Sequence, residues 1–312
     1  MAGRAAATGH TGPMDSSAGP TPERRLGGAL EPVIGQVYFS PEAHEGYAAL
    51  GFEPSAARAG DVQLPDGPAY FTSRGSVMGQ VSGEVIASAF AVFNPSVVVP
   101  CVDHGWSLTD AATICANRDA GALGQLERVL GNDADGVGRV GELLQRAADG
   151  LRVEGRPLAA GITGLHVPDH PFGTVWRLGD LLREFRGDCH TAAWITAGFD
   201  AVEIGLLTEQ FWGLPARSYA RTRGWTDADF DAASERLRSR GLIDADGAFT
   251  DVGRHAREQV ESVTDAQMAP MMGRLGDDVD ELIALLEAWG TAMRAAGGYL
   301  PSGPHDLAAQ AG

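Results

Sequence analysis

Thr226-Asp-Ala-Asp-Phe230-Asp-Ala-Ala233-Ser-Glu-Arg-Leu237-Arg-Ser-Arg240-Gly241-Leu-Ile243-Asp-Ala-Asp246-Gly247-Ala-Phe249-Thr250 reads as a capped helix, a stop and a tight hairpin. Thr226 is a good N-cap, Phe230, Ala233 and Leu237 recur at spacings of three and four, and Gly241 stands where a helix closes. Asp246-Gly247, set between Leu242-Ile243 and Phe249-Thr250, predicts a two-stranded hairpin. Upstream, Val202, Leu206, Leu207 and Phe211 give Asp200 to Trp212 helical periodicity, which Gly213-Leu-Pro215 ends; a short helix over Ala216 to Arg223 follows. Two further helices, about Val252 to Val263 and Asp277 to Ala296, close the segment.

Three helices followed by a small hairpin is the winged-helix order. The segment also has an earlier copy. His44-Glu-Gly-Tyr-Ala-Ala-Leu-Gly-Phe52-Glu53 returns as His190-Thr-Ala-Ala-Trp-Ile-Thr-Ala-Gly-Phe199-Asp200, Tyr70-Phe-Thr-Ser-Arg74-Gly75 as Tyr219-Ala-Arg-Thr-Arg223-Gly224, and Leu130-Gly-Asn-Asp133 as Leu275-Gly-Asp-Asp278. On that plan Ser40 caps a helix starting at Pro41, Ser82 to Phe93 replaces the recognition-type helix, and Val97 to Val102 stands for the wing. Ser107 then caps a helix through Asn117, and Leu123 to Leu130 and Gly136 to Ala148 match the closing helices. The expected fold is mainly α with small β wings, built as tandem pseudo-symmetric winged-helix-like repeats. The expected divisions are a disordered leader over 1–29, a first repeat over 30–150, a connector and linking helix over 151–186, a second repeat over 187–300 and a disordered tail over 301–312.

Composition narrows the chemistry. The chain has 312 residues, 44% of them hydrophobic, and its longest apolar stretch, Val85 to Phe93, is far too short to span a bilayer. No membrane association is expected, and the N-terminal residues lack the apolar core of a signal peptide, so a cytoplasmic location is expected. Cys101, Cys115 and Cys189 form no Cys-x-x-Cys pair and suit reduced thiols. All 24 basic residues are arginine, so Schiff-base chemistry, covalently held pyridoxal phosphate and a phosphate-loop lysine are excluded. The formal charge of −17 disfavours nonspecific binding to nucleic acid or anionic membrane.

Leu182-Arg-Glu-Phe185-Arg-Gly-Asp-Cys189-His190, an Ala-rich helix and Arg223-Gly224-Trp225 before the winged-helix pattern resemble a family of actinobacterial helix-turn-helix-like proteins. That family carries an Arg-Glu-His-Arg-Gly-Asp-Gly-His segment; Phe185 and Cys189 stand where His and Gly are usual. The resemblance covers roughly residues 31 to 300 and implies a fold without implying an activity.

Aligning the copies sets Glu42 opposite Asp188 and His44 opposite His190, each pair 146 positions apart. Two carboxylates and two imidazoles meeting at a pseudo-twofold axis would suit acid-base catalysis, with His190 and His44 as base and Asp188 and Glu42 orienting them. The same histidines would also suit a divalent metal. Against this, residues two apart on a helix point about 200° apart, so both can face one cleft only at a helix start. Arg183 and Arg186 flank Glu184, and Arg74 and Arg223 are mates in the two copies; four guanidinium groups would hold an organic anion, or make structural salt bridges. His166-x-x-x-His170 has metal-like spacing but lies among prolines; Cys189 reads as a nucleophile or a packing residue; Trp194, Phe211, Trp212 and Trp225 read as core or as pocket walls.

The favoured function is an enzyme or ligand-binding protein of actinobacterial specialised metabolism. It would act on a small organic anion in the cleft between repeats, by His/carboxylate acid-base or metal-assisted chemistry. The alternative is a winged-helix DNA-binding transcriptional regulator. Asp227, Asp229 and Asp231 at the start of the recognition-type helix, with Asp244 and Asp246 in the wing, argue that nucleic acid is not a partner.

Overall fold

The structure, a computed structural model, describes residues 19–301. In chain order the elements are α1 (Pro22–Ile34), α2 (Pro41–Ala49), a hairpin of β1 (Arg58–Ala59) and β2 (Val62–Gln63), α3 (Gly67–Gly75), α4 (Gly83–Phe90), α5 (Pro95–Leu108), α6 (Ala111–Leu130) and α7 (Val137–Ala148). There follow α8 (Pro157–Thr163), α9 (Gly173–Thr196), α10 (Ala201–Trp212), α11 (Asp227–Ser239), α12 (Asp251–Leu275) and α13 (Val279–Ala295). The protein is mainly helical, and among the described residues no helix is long and apolar enough to cross a membrane.

Two hydrophobic cores divide the molecule. The larger gathers α1 to α9 with α13 and the C-terminal part of α12, from Leu26 to Leu300. The smaller gathers the end of α9 (Ala193, Trp194), Val202 and Leu207 of α10, Phe230, Ala233 and Leu237 of α11, Ile243 beyond it, and Val260 of α12. Only α9 and α12 run through both; they pack on each other in opposite chain senses. The boundary expected at residue 187 therefore falls inside α9, a continuous helix of 24 residues.

The smaller unit follows its local signals. Asp200 and Thr226 each make a capping box at the start of α10 and α11, and Gly213 and Gly241 take the left-handed conformation beyond each helix end, at φ 68° in both cases. Ala220–Arg223 is a short 3-10 turn, and the wing is reduced to one antiparallel bridge, Ile243 with Phe249.

The first copy departs from the winged-helix plan. Val97 to Val102, expected as a wing, lies in α5: Asn94 accepts a hydrogen bond from the Ser96 N–H and Pro95 opens the helix, so the cap overrides the β-branched run. Asp110 rather than Ser107 caps the next helix, and α6 continues through Leu123 to Leu130 as one helix of 20 residues. The only hairpin of this copy among the described residues, β1–β2, precedes α3 instead of following α4. The connector contains α8. Part of the expected leader is also ordered: Thr21 caps α1 and Pro22 begins it, and Leu26, Leu30, Val33 and Ile34 bury against α9 and α13. Residues 1–18 and 302–312 of the expected leader and tail lie outside the described residues.

Candidate functional site

A cleft separates the two cores. It comprises two adjoining cavities of about 550 and 610 Å³ that share Arg74, Arg183, His190, Tyr219 and Arg223. That is the size range of pockets for drug-sized molecules. The larger core supplies one wall through α1, α3 and α9, and the smaller unit supplies the other through α10 and the Tyr219–Trp225 turn. The turn is fastened to the segment between α4 and α5. The Asn94 N–H donates to the Arg223 carbonyl (2.9 Å), the Asn94 amide to the Gly224 carbonyl (3.0 Å), and the Trp225 indole N–H to the Val92 carbonyl (2.8 Å). Gly224 is required there, since its φ is 81° and an added Cβ would lie 2.7 Å from Val97.

Most cations at the cleft are already paired. Glu184 receives a bidentate pair from Arg74 (2.9 and 2.7 Å) and a third bond from Arg183 (2.9 Å). Arg183 also grips Glu31 with two bonds, and Tyr299 donates its hydroxyl to the same carboxylate. Burial alone would raise the Glu184 carboxyl; Arg74 and Arg183 outweigh it and hold it at about 2. Arg186 bonds Asp265 and Glu261, each at 3.1 Å; Arg24 bonds Asp265 and Glu258, and Arg257 bonds Glu261. Arg223 differs: it has no carboxylate partner among the described residues. Its guanidinium sits 4.5 Å from the ring centres of both Phe93 and Tyr219 and donates to the Tyr219 hydroxyl.

The structure separates the residues of the duplicated motif. Glu42 bonds Arg128 and Ser40 beside the first turn of α2. His44 donates from Nε2 to the Tyr38 carbonyl at 2.9 Å and lines a different small cavity from His190. The cause is the seat of α2 on α6, where Gly121 leaves no room for a side chain against Ala43. Asp188 and His190 occupy mid-helix positions of α9 instead. The Asp188 carboxylate accepts from the Ala159 N–H (3.0 Å) in the first turn of α8, and burial pushes it up to about 7. His190 lies 3.3 Å from the Thr264 hydroxyl and 3.8 Å from Glu261 on α12; burial lowers it to about 4, aided by Arg257 and Arg186, so its imidazole is neutral at pH 7. The four-group acid-base arrangement is not assembled. Among the described residues no group of three or more His, Cys, Asp or Glu side chains is placed to hold a metal ion, so the histidine pair forms no metal centre.

The remaining candidates have structural partners. His170 accepts from the Phe172 N–H and faces Glu127 at 3.2 Å, while the His166 carbonyl accepts from Arg177. Burial raises the Cys189 thiol, which disfavours the thiolate a nucleophile needs; its sulfur lies 3.1 Å from Arg156. Arg156 also stacks over Phe185, so the two departures from the resembled segment meet one side chain. Trp194 joins the smaller core and lines the larger cavity, whereas Phe211, Trp212 and Trp225 line the other. Sequence reading missed Glu31 and Phe93 at the site, because no local pattern sets them apart from ordinary core and surface residues; Tyr219 stands out only as the mate of Tyr70 in the repeat.

Comparison with curated proteins and with solved structures returns no match. The sequence model of a helix-turn-helix family does match, over residues 23–301. That finding overturns the expectation that nucleic acid is not a partner, because the motif points towards nucleic-acid binding. The expectation rested on the carboxylates at the start of α11 and in the wing, counted as free charges facing phosphate. At that face Asp227 is already paired with Arg221 (2.7 Å) and Asp231 with Arg217 (2.5 Å). The chain belongs to a helix-turn-helix family.

Proposed function

We propose that the protein is a nucleic-acid-binding regulator that presents α11 and the reduced wing to duplex DNA. The observation that carries this reading is the self-contained smaller core: it seats α11 by Phe230, Ala233 and Leu237 and leaves the opposite face of that helix in solvent. Ala228, Asp231, Ala232 and Glu235 lie on the exposed face. Asp231 is held by Arg217, which leaves Glu235 as the carboxylate there that can accept from a cytosine amino group in the major groove. Phosphate contact falls to the few cations outside ion pairs or loosely held in them: Arg254, stacked over Phe249 at the wing, and Arg238, 3.7 Å from Glu235. Binding on this reading is specific in base contact and modest in its dependence on salt.

The test is selection from a random duplex DNA library at about 50 mM salt, followed by fluorescence anisotropy on the enriched sequence over rising salt. Retention of an enriched duplex is expected, with a slope corresponding to about two or three phosphates. Arg254→Ala and Arg238→Ala should each flatten that slope by about one. No enrichment over a bead-only control would sink the reading.

A further inference from the structure

We propose that the cleft between the two cores is an effector site for an aromatic hydroxy acid, anchored at its carboxylate by Arg223 and at its hydroxyl by His190. The ligand site stands on the cleft itself; only its coupling to α11 rests on the nucleic-acid reading above.

Of the arginines that line the cleft, Arg24, Arg74, Arg183, Arg186, Arg221 and Arg257 are each engaged in an ion pair, and Arg223 is in none among the described residues. Arg223 is also presented for use. Flanked by Phe93 and Tyr219, its guanidinium is held in place while lining both cavities. A planar guanidinium so placed takes a carboxylate in bidentate fashion.

His190 supplies the second point. The Thr264 hydroxyl spends its proton on the Val260 carbonyl (2.8 Å), so towards His190 Nδ1 it can only accept. The proton of the neutral imidazole is then on Nδ1, and Nε2 is left as an acceptor with no hydrogen-bond partner among the described residues. A ligand that places a hydroxyl against Nε2 and a carboxylate against Arg223 satisfies both. Phe90, Phe93, Tyr70 and Tyr219 line the larger cavity, which both residues also line, and aromatic walls fit a flat aromatic body.

The anchor is also coupled to α11 by position. Arg223 stands three residues before Thr226, the cap of α11, in the turn held to Val92 and Asn94 of the larger core. An acid bridging Arg223 to His190 on α9 therefore ties the start of α11 to the larger core, and biases whichever orientation of α11 allows that bridge.

The probes are 6-hydroxy-2-naphthoate, its neutral amide, and 2-naphthoate, titrated into the full chain without DNA and followed by tryptophan fluorescence and calorimetry. The hydroxy acid should bind with submillimolar Kd, the amide at least tenfold more weakly and 2-naphthoate several-fold more weakly. Arg223→Gln should cost tenfold or more in affinity for the hydroxy acid, Arg223→Lys should restore part of it, and His190→Phe should abolish the preference for the hydroxyl, all in variants whose circular dichroism matches the parent. Equal binding of acid and amide, an unchanged affinity in Arg223→Gln, or no binding at millimolar probe overturns the site. In a separate arm, saturating hydroxy acid should change affinity for the enriched duplex at least fivefold. Binding of the probe without that change overturns the coupling and leaves the site. Failure of any duplex to enrich removes the nucleic-acid reading while the DNA-free titration still decides the site.

Discussion

Two stretches of this chain carry the same carboxylate-x-histidine spacing and meet opposite fates. Glu42 and His44 sit in the first turn of a nine-residue helix, where one accepts from the capping Ser40 and pairs with Arg128 and the other bonds a carbonyl six residues back. Asp188 and His190 sit inside α9, where the helical twist sends them to different neighbours: Asp188 to the start of α8 and His190 to α12 and the cleft. A repeated spacing therefore does not repeat an environment. What decides the chemistry is where along its helix the motif lies and what that helix is packed between.

The sharpest test of the contrast is to remove a carboxylate near each motif. Glu184→Gln leaves the buried Arg74 without a carboxylate and takes from Arg183 one of its two, so it should lower stability by about 3–5 kcal/mol, whereas Glu42→Gln breaks a half-exposed pair and should cost about 0–1 kcal/mol. Thermal unfolding of the two variants measures both; equal losses would erase the distinction. Next comes Asp188→Asn. A carboxyl raised from 3.8 to about 7 keeps in the folded state a proton that the unfolded chain has lost, so it makes stability fall as pH rises from about 4 to 7 and stay level above. The asparagine variant lacks that term and should gain on the parent by about 2–4 kcal/mol between pH 4.5 and 7.5 in denaturant titrations. A constant difference across that range would show Asp188 to be an ordinary surface-like acid.

His190→Gln tests the other member. A histidine lowered to about 4 is neutral when folded and charged when unfolded between about pH 4 and 6.5, so it makes stability rise with pH through that window. Glu261, Asp265, Arg257 and Arg186 face it from α9 and α12, and the side chain remains 28% exposed, so the slope removed by the substitution should be worth about 1–2 kcal/mol. The smallest effect belongs to the first motif: His44→Ala loses one hydrogen bond to a carbonyl and should cost about 1 kcal/mol in the same titration at pH 7.

The parts of the fold legible in the sequence are those written locally. Asp200, Gly213, Thr226 and Gly241 bounded α10 and α11 because caps and left-handed stops act within a few residues. The side chains of Val97 to Val102 suggest a strand, but Asn94-Pro95 before them decides for a helix. The sequence divides α6 into a helix through Asn117 and another from Leu123, yet the intervening Gly121 is the contact that brings α2 close. At the site, the arginines were legible as a set, but their partners were not. Glu31 lies 152 positions from Arg183 and Glu184 lies 110 from Arg74, and separations of that kind are fixed only by packing. That is why Arg223, the one arginine of the four left without a carboxylate, could not be singled out beforehand.

The course of α9 and α12 through both cores has a consequence for how the molecule can be taken apart and rebuilt. The smaller core occupies one contiguous stretch, and the helices that lead into and out of it lie side by side. Topologically it is an insert at the tip of a helical hairpin, so its entry and exit points are neighbours in space. Such a module can be grafted, exchanged for another reading head or excised with a short turn in its place without rethreading the rest of the chain.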